Sequence, residues 1–270
     1  MPNILTDLGE APRKELHIFY VLDTSGSMEG SKIASVNRAM EECTEALRTL
    51  AKNNGDAKLK IAVLEFNSGC RWVTNNGPEN MDDFEWEDLQ AGGVTDIGSA
   101  LEELDEKLSR HHFLESMTGA LMPVIIVMTD GYATDSYDES LLKIRENRWF
   151  KHSTKIGFVI GDDADENMIT SIVGNSEAVI KTSDLDLFKR LMKFITVTSS
   201  VLVSKLTTDN KDDNGSTVVK NAMIEFDLDN NDTDAQTYDE EQDLEQNSDE
   251  VNDIENEPEE DDDDWDDLAW

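Results

Sequence analysis

Four short apolar runs, His17 to Leu22, Lys58 to Phe66, Pro123 to Met128 and Lys155 to Ile160, are separated by stretches whose apolar residues recur at helical spacing. Ile33, Val36, Met40, Cys43, Leu47 and Leu50 mark one face of a helix from about Lys32 to Asn53, and Leu101, Leu104 and Leu108 mark another within Gly98 to Arg110. Further helices are expected over Tyr137 to Trp149, Glu166 to Ile172 and Leu185 to Ile195. Cys70 to Thr74 is expected to pair as a hairpin with the second strand, and Ala178 to Lys181 is a last short strand. Strands alternating with helices predict an α/β fold: a doubly wound, Rossmann-like, mostly parallel sheet with helices on both faces. Such a sheet places its ligands at the carboxyl ends of its strands.

Three polar loops fall at those ends. The first strand runs into Asp23, Thr24, Ser25, Gly26, Ser27; the third runs into Thr129, Asp130, Gly131; and Gly92, Gly93, Val94, Thr95 leads into a helix. A phosphate-cradling loop needs Lys followed by Ser or Thr after its second glycine, and the first loop has no such pair. A phosphatase loop with an aspartyl nucleophile needs a second Asp where Ser25 stands. An ordinary polar turn accounts for the first loop alone but not for all three in this order.

Asp-x-Ser-x-Ser, then a lone Thr, then Asp-Gly at a strand end resembles the metal-ion-dependent adhesion site of the von Willebrand factor type A domain. The resemblance implies that Ser25 and Ser27 ligate a cation directly, and that Thr95 does so directly or through water. It implies that Asp23 and Asp130 hold ligating waters. An oxygen-only donor set suits Mg²⁺ or Mn²⁺. The implied function is protein binding, with an Asp or Glu of a partner completing the coordination sphere, and not catalysis. Within the family, residues from about Glu15 to Thr198 are similar to the intracellular bacterial tellurite-resistance-associated proteins of TerY type. Their association with a protein kinase and a metal-dependent serine/threonine phosphatase implies such partners in a stress or defence system. Other intracellular members serve AAA-type ATPases, which is the alternative. A Mg²⁺-dependent phosphohydrolase using Asp23 is a further one.

Other polar clusters have plainer readings. In Gly161 to Glu166, Asp163 is expected to cap the following helix with Glu166. His111 and His112 read as a solvated pair at a helix end. Cys43 and Cys70 have no metal-site or disulfide spacing and read as buried small hydrophobes.

The last 50 residues, from Asn221 to Trp270, contain no Lys, Arg or His and carry 23 of the 60 acidic residues, in a chain of net charge −37. Self-repulsion disfavours a packed core there. A basic nucleic-acid-binding surface is excluded by the same balance. The organisation predicted is an N-terminal extension (1–14), the domain (15–204), a connector (205–228) and an acidic tail (229–270). Asp227, Asp229, Asn231 and Thr233 approximate a calcium loop, but Asp232 and Tyr238 stand where its Gly and Glu are required. The chain closes on Trp265, Leu268 and Trp270 among acids. There charge can steer and apolar residues can dock on a partner. Tethered carboxylates at millimolar-order effective concentration are also expected to compete for the metal site in cis. Residues 1–16 have no secretory pattern and no run of 18 apolar residues occurs, so a cytoplasmic location away from membranes is expected.

Overall fold

The computed structural model describes residues 13–75, 77–162, 164–205 and the five positions 216, 217, 219, 220 and 224. Asp163, Asp227 to Tyr238, and Trp265, Leu268 and Trp270, for which the sequence raised expectations, lie outside the described residues.

The elements in chain order are β1 (Lys14–Asp23), α1 (Ser31–Asn53), β2 (Ala57–Asn67), β3 (Gly69–Trp72), β4 (Glu79–Asn80), α2 (Ile97–Lys107), β5 (Val124–Thr129), α3 (Asp138–Glu146), α4 (Arg148–His152), β6 (Thr154–Ile160), α5 (Glu166–Val173), β7 (Val179–Thr182) and α6 (Leu185–Lys205). The sheet runs β3-β2-β1-β5-β6-β7, with β4 also on β2. Pairing is parallel from β2 through β7, and antiparallel only where β3 and β4 meet β2. The α/β fold with helices on both faces therefore stands as expected.

The strands are legible because both of their faces are covered. Phe19 meets Trp72, which meets Phe113, on one side of β1, while the Tyr20 hydroxyl on the other side donates to Thr196 of α6 at 3.2 Å. Helices α1 and α6 share the Tyr20 face; α5 packs against β6 on the opposite face. There Gly157 leaves room for it, since a Cβ at that position would stand 2.2 Å from Ile169 Cγ2.

Two of the expected helices need correcting. The helix expected over Tyr137 to Trp149 is two helices. Asn147 interrupts it by accepting from Trp149 N at 2.9 Å and donating to Asp105 and Leu108 carbonyls, so it caps α4. Asp165 caps α5, accepting from Asn167 N at 3.0 Å. The last helix continues to Lys205, ten residues past Ile195. Its extension buries Ser199, Ser200 and Ser204, whose hydroxyls donate to carbonyls three or four residues earlier, so the apolar period fades while the helix goes on. Cys43 is buried as expected, but Cys70 is only half-buried.

The connector touches the domain. Ser216, Thr217, Val219, Lys220 and Ile224 are helical. Val219 belongs to the buried core, and Lys220 pairs with Glu177 at 2.8 Å.

Candidate metal centre

The site is built at the carboxyl ends of β1 and β5, the two strands at the middle of the sheet. Asp23 is the last residue of β1 and is fully buried. Its Oδ1 accepts from Ser25 N at 2.8 Å, closing the turn that brings Ser25 and Ser27 round, and its Oδ2 accepts from the Thr129 hydroxyl at the end of β5. Ser25 Oγ and Ser27 Oγ lie 3.0 Å apart, and Ser27 Oγ donates to Asp130 Oδ1 at 2.7 Å. Asp23, Ser25, Ser27 and Asp130 are thus one hydrogen-bonded group.

Thr95 arrives on the third loop. That loop is pinned to the first by Gly26 N donating to Gly93 O at 3.1 Å and Gly92 N donating to Thr24 O at 2.8 Å. Gly93 has φ +81°, and a Cβ there would lie 2.5 Å from Ser68 Oγ, so the loop's path requires glycine. Thr134 brackets Thr95 from the other side, its hydroxyl accepting from Thr95 N and donating to Thr95 O. Asp96 then caps α2 by accepting from Ser99 N. A Cβ placed on Gly131 would stand 3.4 Å from Ser27 Oγ and 4.0 Å from Thr95 Oγ1. All five predicted residues are therefore brought together, and the hydroxyls of Ser27 and Thr95 face a space that a glycine keeps open.

Electrostatics suit a cation. Burial pushes the Asp23 carboxyl above its ordinary range; hydrogen bonds from Thr129 and Ser25 oppose this, and the neighbouring Asp130 charge adds to it. Two buried carboxylates and three hydroxyls form a hard, oxygen-only donor set that fits a small divalent ion. Ser25, Thr95 and Asp130 are buried while Ser27 is exposed, so the group has one face toward solvent. Val94 and Tyr132, neighbours in sequence of Thr95 and Gly131, are apolar side chains exposed at 51% and 62%.

Sequence reasoning missed three contributors. Thr129 orients Asp23, Thr134 holds Thr95, and Lys32 donates to Asp130 Oδ2 at 2.5 Å. A signal existed for the last: a lysine in the first turn of a helix opposes the helix dipole and calls for a local anion. Among the described residues no helix is long and apolar enough to cross a membrane.

Comparison with curated proteins finds no match. Solved structures do match in fold. A von Willebrand factor type A protein from Catenulispora acidiphila aligns with TM-score 0.51 at 17% identity, over 69% of this chain and 43% of that one. Proximal thread matrix protein 1 from the mussel byssus, described with a zinc-occupied adhesion-site motif, aligns with TM-score 0.51 at 17% identity over 70% and 48%. The PilB minor pilin of Streptococcus sanguinis gives 0.52 at 13% identity over 74% and 64%. The chain thus spans 43%, 48% and 64% of these structures, and at such identities the likeness is one of fold. In sequence, the family model of the von Willebrand factor type A domain matches residues 17–194, and the chain belongs to that family.

Proposed function

We propose that the chain is a metal-dependent protein-interaction module, in which Asp23, Ser25, Ser27, Thr95 and Asp130 hold a divalent cation and a partner's Asp or Glu completes its coordination. The observation that carries this reading is the convergence of those side chains at the strand ends with Ser27 open to solvent. When bound, the ion supplies a localised positive charge for an incoming carboxylate. The chain's own residues do the rest: Thr129 and Ser25 N orient Asp23, Thr134 fixes Thr95, and Val94 and Tyr132 offer apolar contact beside the charge.

The donor chemistry favours Mg²⁺ or Mn²⁺. The zinc of the mussel protein makes that ion a competitor to be tested. A phosphohydrolase role for Asp23 is disfavoured, because the carboxylate is buried and both of its oxygens already accept hydrogen bonds. The resemblance of Glu15 to Thr198 to TerY-type proteins is the ground for proposing a bacterial, cytoplasmic scaffold that engages a kinase and a metal-dependent phosphatase. Trp265, Leu268 and Trp270 are proposed as a second partner-binding segment on their sequence alone.

The test is capture of partners from native lysate in Mg²⁺ and in EDTA, with the wild-type chain, the Asp23→Ala, Ser25→Ala double variant, and a chain ending at Phe226. The truncation keeps the buried Val219 and removes the acidic tail with the last two residues of the connector. Partners lost in EDTA and in the double variant are the expected result. Partners retained in both sink the metal bridge. Tighter Mg²⁺-dependent capture by the truncated chain would support competition by the tail, and weaker capture would instead assign recognition to it.

A further inference from the structure

We propose that Lys32 is an internal counter-ion of the metal centre, a positioning residue that holds Asp130 in the metal-free chain and limits how tightly a divalent cation is held. The inference rests on the metal-binding reading given above and concerns a residue outside the five-residue motif.

The geometry assigns this role. The Asp130 side chain is completely buried, and its two oxygens are divided: Ser27 donates to Oδ1 and the Lys32 ammonium donates to Oδ2. The Lys32 side chain is about one-third exposed (33%), so its charge lies at the mouth and not in the core. It stands in the first turn of α1, which has no acidic residue there. A helix N-terminus repels a cation, so the helix gives no reason for a lysine at this place. The opposite wall is Gly161, after β6, where a Cβ would lie 3.8 Å from Lys32 Nζ. The ammonium is therefore held between the ends of β5 and β6 with Asp130 as its acidic partner.

Two consequences follow from charge. Asp23 and Asp130 are both buried, and removing the cationic partner of a buried carboxylate is costly even where a neutral hydroxyl still donates to it, so Lys32 supports the metal-free fold. A divalent ion beside Asp130 must share that carboxylate with the ammonium, and the two cations repel at short range. A ligating Ser27 hydroxyl can keep its proton on Oδ1, which leaves Oδ2 as the oxygen over which ion-bound water and Lys32 compete. A residue that only supports the fold would lower stability when removed and leave metal affinity unchanged or poorer. A counter-ion, when removed, lowers metal-free stability and raises metal affinity.

The experiment uses the full chain as wild type, Lys32→Met, Lys32→Gln and Lys32→Arg, with Asp23→Asn as a blank that carries the same acidic tail. Mn²⁺ is titrated by calorimetry or by loss of its free spin-resonance signal, and thermal midpoints are taken in EDTA and in excess Mn²⁺. Lys32→Met is expected to bind Mn²⁺ about tenfold tighter than wild type. It is also expected to melt lower in EDTA and so to show a larger Mn²⁺-induced rise, while Lys32→Arg stays near wild type. Lys32→Gln removes the charge but keeps a neutral donor and makes the same affinity prediction should the Met variant fail to fold. Equal or weaker Mn²⁺ binding by the neutral variants, with wild type binding above the blank, overturns the counter-ion role and leaves the metal reading intact. Wild type no better than the blank overturns both.

Discussion

The Asp23→Asn variant is expected to lose the Mg²⁺-dependent rise in thermal midpoint while its midpoint in EDTA stays at or above that of the wild-type chain. The two halves of this result have one cause. Burial raises the Asp23 carboxyl above its usual range, so an ionised Asp23 costs stability near neutral pH in the metal-free chain. Asparagine removes that cost and keeps an oxygen for Ser25 N. The same change removes one of the two negative charges that favour a cation. In wild type, Mg²⁺ at a hundredfold excess over its dissociation constant adds about 2.7 kcal/mol, or roughly 5–10 °C for a domain of this size. A thermal scan with and without Mg²⁺ checks it. Persistence of the rise in Asp23→Asn would move the binding site elsewhere, the acidic tail included.

The second large effect is an acid instability centred on His17. This residue is buried in β1, and its pKa is lowered to about 3 by burial first and by the charge of Lys60 second. The unfolded chain takes up a proton near pH 6.5 and the folded chain does not until about pH 3, so His17 lowers stability progressively as pH falls through that window. The slope is about 1.4 kcal/mol per pH unit and the total on the order of 5 kcal/mol. Among the described residues neither imidazole nitrogen has a hydrogen-bond partner, and the ring stacks on Phe19. Phenylalanine at this position therefore loses no hydrogen bond, only the 3.6 Å approach of Nε2 to Glu15 Oε2, an ion pair solely when the ring is protonated. The charged groups nearby, Glu15 and Lys60, pair with each other at 3.1 Å and remain in place. Urea unfolding at pH 7.5 and 4.5 is expected to show a much smaller loss for His17→Phe than for wild type. Equal losses in the two chains would assign the acid sensitivity to other groups.

The strands of this fold were readable because a parallel sheet covered on both faces demands unbroken apolar runs, and β1, β2, β5 and β6 supply them. Of the five candidate site residues, Asp23, Ser25, Ser27 and Asp130 follow the apolar runs of β1 and β5, whereas Thr95 lies on a glycine loop entering a helix, and the resemblance to the adhesion-site motif is what grouped the five. What escaped were features set by long-range contact. The break at Asn147 depends on carbonyls of Asp105 and Leu108 some forty residues away. The extension of α6 depends on hydroxyls satisfied within their own helix, which look like a loop to any apolar period. The two residues of β4 carry no period at all and are a strand only because β2 lies beside them. Lys32 and Asp130 are 98 positions apart, and only the fold makes them neighbours.

The arrangement of the sheet's borders bears on how the chain behaves in a crowded solution. Its outer strands are β3 and β4 on one side and β7 on the other, of four, two and four residues. Among the described residues, the outermost strands offer a second chain at most four residues each, too few to hold a growing stack. Among the described residues the long apolar strands β1, β5 and β6 are interior, and β2 is covered in part by β3 and β4. Assembly by edge addition thus requires prior unfolding, so fibril formation at a given protein concentration should rise with the fraction of unfolded chain.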